Sequence, residues 1–153
     1  MVNPLPTVRR WMLALLVFGL SGTITELLLL KHYDEGWQLV PLFLIALALG
    51  TVVWHVTRPS AASIRALQVL MALFVLAGVV GVGLHFLGAA EFQLEIDPSQ
   101  PRWNTFKKAM QAQAPPVLAP GVLMELGLLG LVYTYRHPAV SDPDTVFANG
   151  NKE

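Results

Sequence analysis

The chain has 153 residues, 54% hydrophobic and 13% charged, with a mean hydropathy of +0.56; soluble domains carry roughly 25% charged residues, so an ordinary soluble enzyme is excluded. Ten basic and ten acidic residues cancel, which argues against nucleic-acid binding, a role that needs a basic excess. The absence of cysteine excludes disulfides, thiolate metal sites, iron–sulfur clusters and a Cys nucleophile.

Crossing a hydrocarbon layer of ~30 Å takes about 20 apolar residues in a helix. Residues 11–30 form the first such run, interrupted by Ser21, Thr23, Thr25 and Glu26. Arg9 and Arg10 before it imitate a signal peptide. No small-x-small cleavage site follows, however, and Leu27 to Leu30 resume the apolar run, so the segment reads as a span. A polar turn containing Gly36 leads to a second span over 39–56, and a linker with Pro59 and two arginines leads to a third over 66–90. Gly78, Gly81 and Gly83 inside that third span resemble a nucleotide-binding glycine loop. No strand precedes them, and helix packing is the better account.

Residues 91–97 alternate polar and apolar side chains, the period of an extended segment; the competing reading continues the third helix past the membrane. A short amphipathic helix is expected over 102–113. Trp103, Phe106 and Met110 make its apolar stripe, and Arg102, Lys107 and Lys108 are its basic members. That pattern suits an interfacial helix, read as a cap over the bundle in preference to a partner-docking surface. After a proline-rich stretch over 114–120, a short fourth span covers 117–135, and residues 139–153 form a polar tail expected to be disordered. The apolar runs are continuous, which favours helices over a barrel. The predicted fold is therefore an all-α integral membrane protein: one domain over 1–138, with four transmembrane helices and one interfacial helix in the long outer loop.

Basic residues set orientation. One side carries Arg9, Arg10, Arg58, Arg65, Arg136 and Lys152; the other carries Lys31, Arg102, Lys107 and Lys108. This places both termini in the cytoplasm of a multi-pass cell-membrane protein. The outer side holds seven acidic residues against four basic, a formal −3, and a negative mouth concentrates cations where its charges converge. Trp11, Trp37, Trp54 and Tyr135 fall near predicted membrane boundaries, as aromatic belts do.

Ionisable groups inside the spans carry the sharpest argument. Each costs about 2.5–3.5 kcal/mol on insertion scales unless it is partnered, wet or neutral. Glu26, His85 and Glu125 lie about 6–7.5 Å inside the outer ends of three predicted spans. Each also shares a helix face with glycines: Gly19 and Gly22, Gly78 and Gly81 and Gly88, and Gly121. The expectation is a common polar centre pointing into the bundle, closed from above by His32, Asp34 and Glu35. Such a centre serves as polar glue, or as a site for a divalent metal or a proton.

Haem is disfavoured. The four histidines divide by side, His32 and His85 outside, His55 and His137 inside, but His32 sits in a loop and His137 precedes Pro138. The favoured role is a small non-enzymatic subunit or accessory of a membrane complex, in contact with lipid and with other subunits or copies of itself. The alternatives are a cation- or proton-handling protein using Glu26, His85 and Glu125, and a membrane enzyme acting on a lipid or quinone.

Overall fold

The computed structural model describes residues 5–112 and 117–141. The polar tail from residue 142 onward and part of the proline-rich stretch lie outside the described residues. Among those described there are helices and turns and no strands. The helices are α1 (Leu5–Leu29), α2 (Leu39–Thr57, led by a 3-10 turn at Gly36–Gln38), α3 (Ala61–Ile96), α4 (Arg102–Met110), α5 (Leu118–Thr134) and a single turn, α6 (Pro138–Ser141). Three helical segments are long and apolar enough to cross a membrane: Leu5–Leu29, Gly36–Thr57 and Ala61–Ile96. The fourth apolar helix, α5, has 17 residues and reaches about 25 Å.

The 36 residues of α3 extend about 54 Å, well past the predicted 66–90, and both ends have a local cause. Ser60 holds extended backbone geometry and its hydroxyl accepts from the Ser63 amide, capping the helix start. At the other end the expected extended segment over 91–97 is helical through Ile96. Glu, Gln, Leu and Phe are tolerated in a helix, and no breaker intervenes until Pro98, which bars helical geometry at the preceding residue. Asp97 is accordingly extended. Its carboxylate accepts from both the amide and the hydroxyl of Ser99, 3.1 and 2.8 Å away, and these bonds hold its pKa below the usual carboxylate range.

Helix α4 begins at Arg102, as the sequence predicts. It folds back along the distal half of α3: Gln100 donates to the Gln93 carbonyl at 2.8 Å, and Phe86 meets Phe106 at 5.6 Å. The face α4 buries is Thr105 and Ala109, while Trp103 and Phe106 stack on each other and stay exposed. The apolar stripe thus looks outward, and small residues make the seam with α3.

The four long helices run up and down, each beside two others: α1 beside α2 and α5, and α3 beside α2 and α5. Glycines set the closest seam, where α3 and α5 pack antiparallel. A side chain at Gly127 would stand 2.7 Å from the Met71 carbonyl oxygen, and one at Gly78 would stand 2.8 Å from that of Pro120. Gly19 meets Leu126 across the α1–α5 seam. Small residues are what let membrane helices approach this closely. Gly22, Gly83 and Gly88 face open space.

The core is a column of Leu16, Leu20, Ile45, Ala48, Ile64, Leu67, Met71 and Phe74. Outside it, side chains such as Phe18, Leu29 and Phe43 are at least 70% exposed. A soluble monomer rarely leaves apolar patches beyond a few hundred Å²; a chain solvated by lipid has no reason to cover them.

Candidate functional site: polar groups at the two ends of the bundle

Three of the buried polar residues, His55, Ser63 and Thr134, gather where α1 and α3 begin and α2 and α5 end; the others described, Gln100 and Thr105, lie at the opposite end between α3 and α4. His55, in the last turn of α2, is buried, and its Nδ1 lies 3.0 Å from Oγ of the fully buried Ser63. The Ser63 hydroxyl donates to the Ser60 carbonyl at 2.8 Å. It is therefore the acceptor toward His55, which assigns the His55 proton to Nδ1. The His137 ring meets His55 edge-on at 5.2 Å, and Tyr133 lies 5.5 Å from His137. The Ala139 amide donates to His137 Nδ1 at 3.3 Å, which puts the neutral ring's proton on Nε2.

Arg9 joins this cluster from α1. Its Nη2 donates to the Tyr135 and Arg136 carbonyls at 3.2 and 2.9 Å, satisfying acceptors left open where α5 stops. Arg136 itself holds a left-handed φ of 45°. The packing has an electrostatic consequence at His137, which lies beyond the end of α5. Burial first, then the charges of His55 and Arg9, hold its pKa down at about 4, so the ring is neutral at pH 7.

The predicted centre at the opposite end is arranged differently. Glu26 and Glu125 are both exposed, and neither carboxylate has a hydrogen-bond or ion-pair partner among the described residues. His85 is exposed too; it stacks on His32 at 6.3 Å with the rings 9° from parallel. Burial and the His85 charge lower the pKa of His32, which lies in the turn after α1. Asp34 and Glu35 are exposed in that turn, their amides donating to the Gln38 side-chain oxygen. Among the described residues no group of three or more His, Asp or Glu is placed to hold a metal ion.

Register explains the separation of the three residues. Gly81 of α3 lies against Pro120, near the start of α5, so His85 sits about 6 Å farther along α3 than the α5 start. Glu125 lies about 10 Å inside α5. The equal depths inferred from sequence assumed that α3 stopped near residue 90.

Two concavities accompany these groups. A shallow groove of about 600 Å³ runs along one face of α1, lined by Phe18, Ser21, Gly22, Thr25, Glu26 and Leu29. A smaller pocket of about 260 Å³ lies beside the buried cluster, between Arg9, Arg10 and Leu13 of α1 and Tyr133, His137 and Pro138. The division of the histidines by side matches the two ring pairs, but the sequence does not join His55 and His137 to Ser63 and Tyr133. The missed signal is Ser63 eight residues after His55, a spacing that lets the α2–α3 hairpin join them.

Comparison with known proteins returns no match to a family model, a curated protein or a solved structure.

Proposed function

We propose that the chain is a four-span, non-enzymatic membrane subunit whose outward carboxylates are completed by another protein chain. The observation that carries this reading is Glu125, an exposed carboxylate about 10 Å inside an apolar helix, with no partner among the described residues. A charge at that depth is costly in lipid by about 2.5–3.5 kcal/mol, and a donor on a neighbouring chain removes the cost. The α1 groove supports the same reading: Ser21, Gly22 and Thr25 leave room for a helix backbone beside Glu26. In this reading α5 crosses as a short fourth span with local thinning of the bilayer. Arg9, Arg10, Arg58, Arg65 and Arg136, at the helix ends around the buried cluster, mark the cytoplasmic side.

The test is the mass of the assembly released from native membranes into nanodiscs, by native mass spectrometry, for the wild type, Glu125→Gln and Glu125→Leu. The reading expects a mass above that of the monomer. Glu125→Gln, which still hydrogen-bonds, retains the assembly, and Glu125→Leu sheds the partner. A monomeric wild type indistinguishable from Glu125→Leu overturns it.

A further inference from the structure

The pocket at the start of α1 is furnished for an anion. Arg9 commits Nη2 to the end of α5, and its remaining N–H groups have no partner among the described residues. Arg10, exposed beside it, has none there either. Tyr133 is 4% exposed, lines the pocket, and makes no hydrogen bond through its hydroxyl among the described residues. The hydroxyl is not sealed inside the protein; it is accessible beside the pocket, where a ligand acceptor can take its hydrogen bond. The described carboxylates are Glu26, Asp34, Glu35, Glu91, Glu95, Asp97 and Glu125. None of them lines the pocket.

Position and wall chemistry narrow the anion. The apolar run of α1 begins at Trp11, immediately after the two arginines, which sets them at the depth of bilayer headgroups. Leu13 and Pro138 give the pocket apolar walls that suit a glycerol backbone and the first methylenes of an acyl chain. Guanidinium groups pair with phosphate oxygens bidentately, and basic clusters at a membrane surface attract anionic lipid. We propose that this pocket binds the phosphate headgroup of an anionic phospholipid, held by Arg9, Arg10 and the Tyr133 hydroxyl.

The probes are phosphatidylglycerol, phosphatidylcholine and inorganic phosphate. Lipid retention by the full-length protein is counted by native mass spectrometry, with thermal unfolding as a second readout. Arg10→Gln and Tyr133→Phe are the variants; Arg9 is left intact because it caps α5. The expected result is one retained phosphatidylglycerol and a rise in unfolding temperature. The double variant should weaken that retention by about tenfold or more, the loss expected for a charge-assisted hydrogen bond, while unfolding as the wild type does without lipid. Equal retention of phosphatidylcholine, equal stabilisation by inorganic phosphate, or unchanged retention in the double variant would each overturn the proposal.

Discussion

The histidine pair at each end of the bundle has a different fate. At one end His55 and His137 lie edge-on at 5.2 Å, with Ser63, Tyr133 and Arg9 around them. At the other, His32 and His85 stack at 6.3 Å, and His85 is exposed. The cause is helix length. Four helices meet at the first end, whereas α5 starts near Gly81 and leaves α3 and α4 to continue as a hairpin. Where four helices close, His55 and Ser63 are buried and bond to each other. Where two continue, the same residue types stay open to solvent, headgroups or another chain.

The sharpest way to break this contrast is through the glycines. Gly127→Leu places a large side chain against the Met71 backbone, and that oxygen cannot swing aside. Overpacking of this kind costs typically 1–3 kcal/mol and occasionally more; loss of the folded monomer is the expected outcome in a detergent unfolding assay. A Cβ at Gly88 meets nothing within 4 Å, and Gly88→Leu should leave monomer stability unchanged. Equal damage from both would show that the glycine seam is not what sets the four-helix end.

The histidines give the next effect. His55→Ala removes a buried ring and leaves Ser63 without that donor, at a cost of about 1–3 kcal/mol. His85→Ala, at an exposed position, should stay within about 0.5 kcal/mol of the wild type. Chemical denaturation of the two variants side by side measures the difference.

Protonation sharpens the comparison further. The His137 pKa falls from 6.5 to about 4 on folding. The folded chain thus binds fewer protons than the unfolded chain between those values. Its contribution to stability is full above about pH 6.5 and is lost as pH falls toward 4, because the imidazolium would then be buried beside His55 and Arg9. Melting temperatures from pH 7 down to 4.5 should drop less steeply in His137→Gln than in the wild type. Parallel curves would count against the neutral ring.

The smallest effect lies at the opposite end. Lys31 adopts a left-handed φ of 52°, where α1 closes with bonds from Lys31 to Leu28 and from His32 to Leu27. Glycine is the residue suited to that position. Lys31→Gly should raise stability by roughly 0.5 kcal/mol, read as a small upward shift in midpoint.

Much of this architecture is legible in sequence. Continuous apolar runs mark the long helices, and Pro101 followed by Arg102 marks the start of α4. The positions of the histidines along the chain divide them correctly between the two ends. The length of α3 is harder to read: residues 91–97 satisfy both a strand-like alternation and a helix, and only Pro98 supplies a stop. That one ambiguity moves His85 out of register with Glu125. Shared faces with glycines mislead for a related reason. A glycine marks an available approach, and tertiary packing decides which are used: Gly78 and Gly81 meet α5, while Gly22 and Gly88 meet nothing.

The claim that the outward carboxylates belong to an interface is tested most directly by cross-linking in native membranes. A chain without cysteine accepts single probes cleanly, so Val122→Cys and Leu128→Cys can flank Glu125, with Phe43→Cys on exposed α2 as the control. The account predicts protein cross-links from the two α5 sites, lost when Glu125→Leu is added, and none from the α2 site. Reaction of all three sites with lipid-phase reagents alone, unaffected by Glu125→Leu, would contradict it.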